Sequence, residues 1–404
     1  MSANETINRE GISEDAIVDA AIDIIARSGF AGLTLRPLAA SLGISVAAVS
    51  ARMGNKDQLI DRIIDLAARR DQLFFDRWLD LAAHVMPAAS IARATLADLA
   101  FRDWMTAGRQ QAMFLIELVH DRAVTCRLSP LLDDWLTRAG MFWSTLLFGS
   151  TALADLAIGY VLDEAGFALG ACDDPAYAML RMLCLQRLAD GVFTHGVTSD
   201  IAIERLIAKL EPDDLPIATD DDPKRQRIAD GAAQIIVSRG MEAATHRSVA
   251  IAAGVPASTV VYHFGGRAAL VVAGLHAVIA HFHRARDRSR AEGTLSQDDA
   301  DTRDLVKATS MIALASVREP SLLPYALDMR RRRGENIRAI DLPSFGLDPD
   351  AGFDRVTAQV VSIAVFGMRM VAMGRAVPER PHYHTAFAAL EAWNDRPRRR
   401  RSLR

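Results

Sequence analysis

Cysteine is scarce in this chain. Three occur in 404 residues, Cys126, Cys172 and Cys184, and none has CxxC spacing. That excludes a disulfide framework and a zinc knuckle, and free thiols in a reduced cytosol are expected. Aromatic residues are also few, at 6%, while 50% of the chain is hydrophobic. A sequence rich in Ala, Leu and Ile but poor in rings suits helix-on-helix packing better than a large sheet. Charge of one sign is missing as well. The net value is −3, so any nucleic-acid surface must be local. The segment 1–10 is polar and carries no apolar signal core. The most apolar stretches contain charges or helix-end signals within about 18 residues, so no membrane span is expected and the chain is placed in the cytoplasm. Catalytic signatures are absent too: there is no GxSxG elbow and no GxxxxGK[ST] loop. His281 with His283, and His382 with His384, are spaced to opposite sides of a helix. Glu117 and His120 sit one turn apart, with no second matching pair. No catalytic residue, cofactor or metal is therefore expected, and the chain is read as not an enzyme.

The segment 211–224 holds three prolines and six acids and cannot continue a packed helix. The residues beyond it repeat those near the start. With a shift of 211, residues 17–59 align without gaps on 228–270. Ile17, Gly29, Thr34, Arg36, Ala39, Gly43, Val49, Gly54 and Leu59 recur as Ile228, Gly240, Thr245, Arg247, Ala250, Gly254, Val260, Gly265 and Leu270. Shared glycines and apolar positions are what a common backbone requires, so one fold occurs twice. In each copy an apolar stripe predicts a first helix that a glycine ends. Thr34 caps a second helix with Pro37 early in it, and Gly43 makes the turn. Ser45 caps a third helix, Val46 to about Arg52. Helix, glycine turn, helix is the helix-turn-helix pattern.

At these residues the chain resembles the tetracycline-repressor (TetR/AcrR) family of bacterial regulators. The second copy carries Gly240, Thr245, Arg247, Val249, Ala250, Gly254, Val255, Ser258, Thr259, Tyr262, His263, Phe264, Gly265, Arg267 and Leu270. The first keeps Gly29, Thr34, Arg36, Leu38, Ala39, Gly43, Ile44, Gly54, Lys56 and Leu59, but its recognition segment, residues 49–53, has no aromatic. The resemblance implies an all-α chain of two tandem units. Each has a three-helix head followed by a helical-bundle effector and dimerisation domain, and a small ligand releases the heads from DNA. The organisation expected is a flexible N-terminus (1–12), a first head (13–60) and a first effector domain (61–210). An acidic, Pro-rich linker (211–223) leads to a second head (224–271), a second effector domain (272–395) and a basic tail (396–404).

The DNA-contacting candidates come from the motif, whose third helix lies in the major groove. Arg36 and Arg247 match the family's groove-facing arginine, and bidentate contact with guanine discriminates by about 1–3 kcal/mol. Thr245, Ser258, Thr259, Tyr262, His263 and Arg267 complete the second set; Ser45, Arg52 and Lys56 are the first-copy counterparts. Tyr262 reads equally as a phosphate contact or a core ring, and Phe264 as core. Charge separates the copies. Residues 13–79 hold eight Lys/Arg and nine Asp/Glu, 8 − 9 = −1; residues 224–290 hold ten and three, 10 − 3 = +7. The second head is expected to anchor binding, because phosphate neutralisation supplies much of DNA affinity.

Beyond the heads, helices are expected near 57–85, 90–107, 109–124, 129–168 with a break, 175–195 and 198–210. The second unit has them near 268–292, 299–317, 320–333, 352–374 and 382–394. Trp104, Met113, Phe114, Glu117, Phe142 and Trp143 are the candidates to line a cavity for a small apolar effector. The arginines of 330–333 are expected on a solvated helix end. The two units either pair within one chain, as a pseudo-dimer reading two unlike half-sites, or pair between chains as a homodimer with four heads. The rival function is a helical small-molecule-sensing or protein-interaction module with one or both heads no longer binding DNA.

Overall fold

The computed structural model of the chain describes residues 12–85, 90–120, 122–192, 201–212, 222–292, 299–335, 354–377 and 388. The N-terminal segment, most of the linker, the helix expected near 382–394, the basic tail and the Cys126 side chain lie outside the described residues. Among those described, every regular element is a helix. Unit 1 begins with three short helices, α1 (Glu14–Ser28), α2 (Leu35–Ser41) and α3 (Val46–Met53). It continues with α4 (Lys56–Val85), α5 (Ser90–Thr106), α6 (Arg109–His120), α7 (Arg122–Phe148), α8 (Ala154–Ala171), α9 (Pro175–Ala189) and α10 (Ile201–Lys209). Unit 2 repeats the opening as α11 (Pro223–Arg239), α12 (His246–Ala253) and α13 (Ala257–Phe264). Then come α14 (Arg267–Glu292), α15 (Asp299–Arg318), α16 (Leu323–Arg331) and α17 (Arg355–Gly374).

Local chemistry sets most of these ends. Ser13 caps α1 by accepting the Ala16 amide at 3.1 Å, and Gly29, at φ +77°, stops the helix. Asn55 and Gln58 cap α4 reciprocally, at 2.9 and 3.0 Å. Asp174 and Asp354 do the same work for α9 and α17. The expected break between 129 and 168 falls at residues 149–153, which separate α7 from α8. Gly149 turns there at φ +64°, while the Ser144 hydroxyl donates to the Ser150 carbonyl and accepts the Leu153 amide. α7 is also kinked at Leu128, two residues before Pro130.

The buried residues form one continuous core that runs through both units. Its centre is the crossing of α8 with α17, the most extensive helix contact in the molecule. Gly159 meets Gly367 there, and a Cβ on Gly367 would lie 1.7 Å from the Gly159 carbonyl oxygen. Only paired glycines let the two backbones come so close. α17 is apolar and long enough to span a membrane, but it is largely buried within the fold.

Charged residues are buried beside this crossing, which corrects the sequence-based reading of 330–333. Arg330, Arg331 and Arg333 are buried rather than solvated. Arg330 forks onto Glu164 at 3.0 and 2.9 Å and donates to Gln359 at 2.7 Å. Arg333 donates to Asp163 at 2.8 Å and lies between the Phe167 and Phe366 rings. Burial pulls the Arg330 guanidinium down, yet Glu164 and Cys184 hold it above its ordinary value. Burial pushes the Asp163 carboxyl up to about 6, against the pull of Arg333. A buried charge persists only when paired and hydrogen-bonded, and here the partners come from the other unit.

Candidate DNA-binding surface

In head 2 the fold sorts α13 into two faces. Val260 and Phe264 are buried, whereas Ser258, Val261 and Tyr262 are exposed. That is helical spacing, with the core stripe at i, i+4 and the open face offset from it. Tyr262 is 85% exposed, which removes it from the core and leaves its hydroxyl free to reach a phosphate; Phe264 is core, as expected. Thr259 is half-buried. Arg247 is exposed on α12, whose start is fixed by a capping box. The Thr245 hydroxyl accepts the Ser248 amide, and the Ser248 hydroxyl accepts the Thr245 amide.

Two candidates are partly engaged within the protein. His263 is mostly covered, its Nδ1 3.5 Å from the Asp222 carboxylate and its ring edge-on to Tyr262. The Lys224 amide, with Arg225 and His263 adding, holds the Asp222 carboxyl below its usual range. Arg267 donates to the Met241 carbonyl at 3.0 Å. Around this surface Lys224, Arg225, Arg227 and Arg239 are exposed, so the positive balance of the segment reaches solvent.

Head 1 has the same backbone and a different surface. Ser45 caps α3 through the Ala48 amide, and Val49 and Met53 are buried. Thr34 stands at the start of α2 but makes no side-chain capping bond, unlike Thr245. Arg36, Arg52 and Lys56 are exposed, and Arg52 donates to the Ile12 carbonyl. The positions equivalent to Ser258, Thr259 and Tyr262 are Ala47, Ala48 and Ala51. Head 1 therefore offers methyl groups where head 2 offers hydroxyls. Alanine can contact a thymine methyl but cannot hydrogen-bond a base or a phosphate.

The effector candidates sit in the core of unit 1. Trp104, Met113, Phe114, Phe142 and Trp143 are all buried. Phe142 stacks on Phe75 at 4.5 Å and meets Trp143 edge-on at 4.7 Å, while Phe114 lies 6.2 Å from Trp135. Glu117 is engaged elsewhere: it accepts the Phe30 amide at 2.5 Å and pairs with Arg318. An open depression between α4 and α5 is lined by Arg77, Trp78, Leu81, His84 and Asp103; none of the six candidates lines it. The sequence reading missed Asp71. This buried carboxylate receives the Trp104 indole N–H at 3.2 Å and that of Trp135 at 2.9 Å. Burial raises its pKa to about 7, and the two indole bonds oppose the rise. The signal was present: Asp71 falls in step with Ile64, Ala67, Ala68 and Phe75 on the buried stripe of α4.

Two exposed helix-turn-helix surfaces on one all-helical chain define a DNA-binding protein. The family model for bacterial regulatory proteins of the tetR family matches residues 17–63 and again 228–273. No curated protein matches the chain. The two matches cover the heads, and they support a TetR-family transcriptional regulator with two tandem TetR-like units and DNA as its partner.

Proposed function

We propose that this regulator is a ligand-responsive repressor whose two units pair with each other inside one chain, presenting two unlike heads to an operator of two unlike half-sites. It works in the cytoplasm and performs no catalysis. The observation that carries the pairing is the polarity of the contacts between units. Arg318, Arg330, Arg333 and Arg375 of unit 2 meet Glu117, Glu164, Asp163 and the Asp133/Asp155 pair of unit 1. The Arg187–Asp354 pair runs the other way. Pairing unit 1 with another unit 1 would set acid against acid in a buried place, so like-with-like dimers are disfavoured. The effector reading rests on the aromatic core of unit 1. The Trp143 indole N–H is buried there and has no acceptor among the described residues. An uncharged ligand carrying an acceptor suits such a place.

Light scattering tests the pairing. A mass of one chain, free and on DNA, is expected; two chains per complex at working concentration would establish the four-headed homodimer. Footprinting on the DNA upstream of the protein's own coding sequence tests the rest. The expected pattern is protection of two half-sites about 34–36 Å apart, the helical-turn spacing of paired heads. Protection should be lost when a small molecule quenches the Trp104/Trp135/Trp143 fluorescence. The alanine surface of head 1 favours a second reading, in which head 2 alone binds; protection of a single half-site would support it.

A further inference from the structure

We propose that Arg318 and Glu117 are positioning residues for DNA binding, through which unit 2 and the helical domain of unit 1 jointly hold head 1. The proposal rests on the reading that the heads bind DNA. Arg318 ends α15 in unit 2, yet its guanidinium reaches into head 1. Its Nε donates to the Ala26 carbonyl at 2.7 Å and its Nη2 to the Ile25 carbonyl at 3.0 Å. Both are last-turn carbonyls of α1: the Ile25 carbonyl also accepts the Gly29 amide at 2.8 Å, while the Phe30 amide that would continue the helix onto Ala26 is turned to Glu117 instead. The same guanidinium pairs with Glu117 of α6, and Glu117 accepts the Phe30 amide at 2.5 Å. Phe30 stacks on Phe114, one turn before Glu117, at 6.2 Å. Three parts of the molecule thus converge on the segment 25–30: head 1 itself, α6 and α15. Arg318 and Glu117 are 14% and 13% exposed, so water competes little for these bonds.

The repeat supplies an internal comparison. A Cβ on Gly29 would lie 3.4 Å from the Glu117 carboxylate, whereas a Cβ on Gly240 would have nothing within 4 Å. The Met241 carbonyl of head 2 is bonded by Arg267, at the start of that unit's own α14. Head 2 is therefore braced from its own unit, and head 1 across the pair. The turns that carry Phe30 and Met241 touch each other, so the brace also sets one head against the other.

The test uses the full chain and the variants Arg318→Ala, Arg318→Lys and Glu117→Ala. Hydrogen exchange is read at amides 29–33 and 240–244. Arg318→Ala and Glu117→Ala are expected to speed exchange at Phe30 about tenfold, a protection change of about 1.4 kcal/mol. Residues 240–244 should stay as they were. Equal change in both turns, or none, overturns the brace. Should Glu117→Ala fail to fold, Arg318→Lys, which keeps the charge but not the fork, should give a smaller effect at the same amides; no effect counts against the proposal. The second readout is a hydroxyl-radical footprint on duplexes that the wild-type chain selects from a random-sequence pool. Arg318→Ala should keep the head 2 half-site, lose the head 1 half-site and bind about tenfold more weakly. Its cost should be smaller when Arg36→Ala is already present, because both act through head 1. An unchanged footprint, or a wild-type footprint confined to one half-site, overturns the positioning role. If no duplex is selected at low salt, the DNA-binding reading fails, and the exchange result still decides the brace.

Discussion

Asp71 holds its carboxyl where water does not reach, between two indoles, and its pKa rises from 3.8 to about 7. Between those values the folded chain keeps a proton that the unfolded chain gives up. The Asp71 contribution to stability is therefore complete below about pH 4 and declines as pH rises toward 7. Asp71→Asn cannot ionise. The wild-type Tm, compared with that of the variant, should fall across this window and level off above it. Tryptophan emission should titrate near pH 7 in the wild type and stay flat in the variant, because the indoles of Trp104 and Trp135 are bonded to the titrating group. A second residue-scale expectation concerns the paired arginines. Arg247 stands in a segment of +7 beside Ser258 and Tyr262, and Arg36 in one of −1 beside alanines. Arg247→Ala should weaken operator binding by about 1–3 kcal/mol, and Arg36→Ala by less. Gel shifts at fixed salt compare them; the reverse order would reassign the anchoring head.

Elements meet most tightly where α8 crosses α17. Gly367→Ala puts a methyl group 1.7 Å from a backbone oxygen that cannot swing aside. The helices must separate, at a cost of about 1–3 kcal/mol or more by analogy with overpacked cores. Denaturant unfolding should show a lowered midpoint, with Gly240→Ala as the contrasting control for a glycine whose problem is φ +86° rather than space. The helices themselves were legible because their ends are written locally: Ser13, Ser45 and Asp174 cap, Gly29 and Gly240 stop, and the apolar stripe of α4 keeps its period. The repeat made the heads legible twice over. The charged crossing was not legible. Arg330 and Arg333 owe their burial to Glu164 and Asp163, more than 160 residues earlier in the chain, and nothing next to them in sequence announces it. Glu117 was singled out by its apolar neighbourhood, but which partner it takes depends on Arg318, in the other unit.

At the scale of the whole molecule, the charges between units form a lock with a direction. Glu164→Arg alone leaves two buried cations facing each other and should cost about 3–5 kcal/mol of stability. Exchanging the pair, Glu164→Arg with Arg330→Glu, should recover part of that loss, and the coupling is read from a double-mutant cycle of unfolding free energies. Additive losses would mean that the pair does not hold the units together. The existence of two heads in one polypeptide has a consequence for how recognition can drift. A self-paired regulator writes every change into both halves of its target at once, so most changes are doubly penalised. Here Ala51 and Tyr262 occupy matching places but are encoded separately. Under the proposed pairing, one half of the DNA target can wander while the other stays pinned, and a palindrome is no longer required of it.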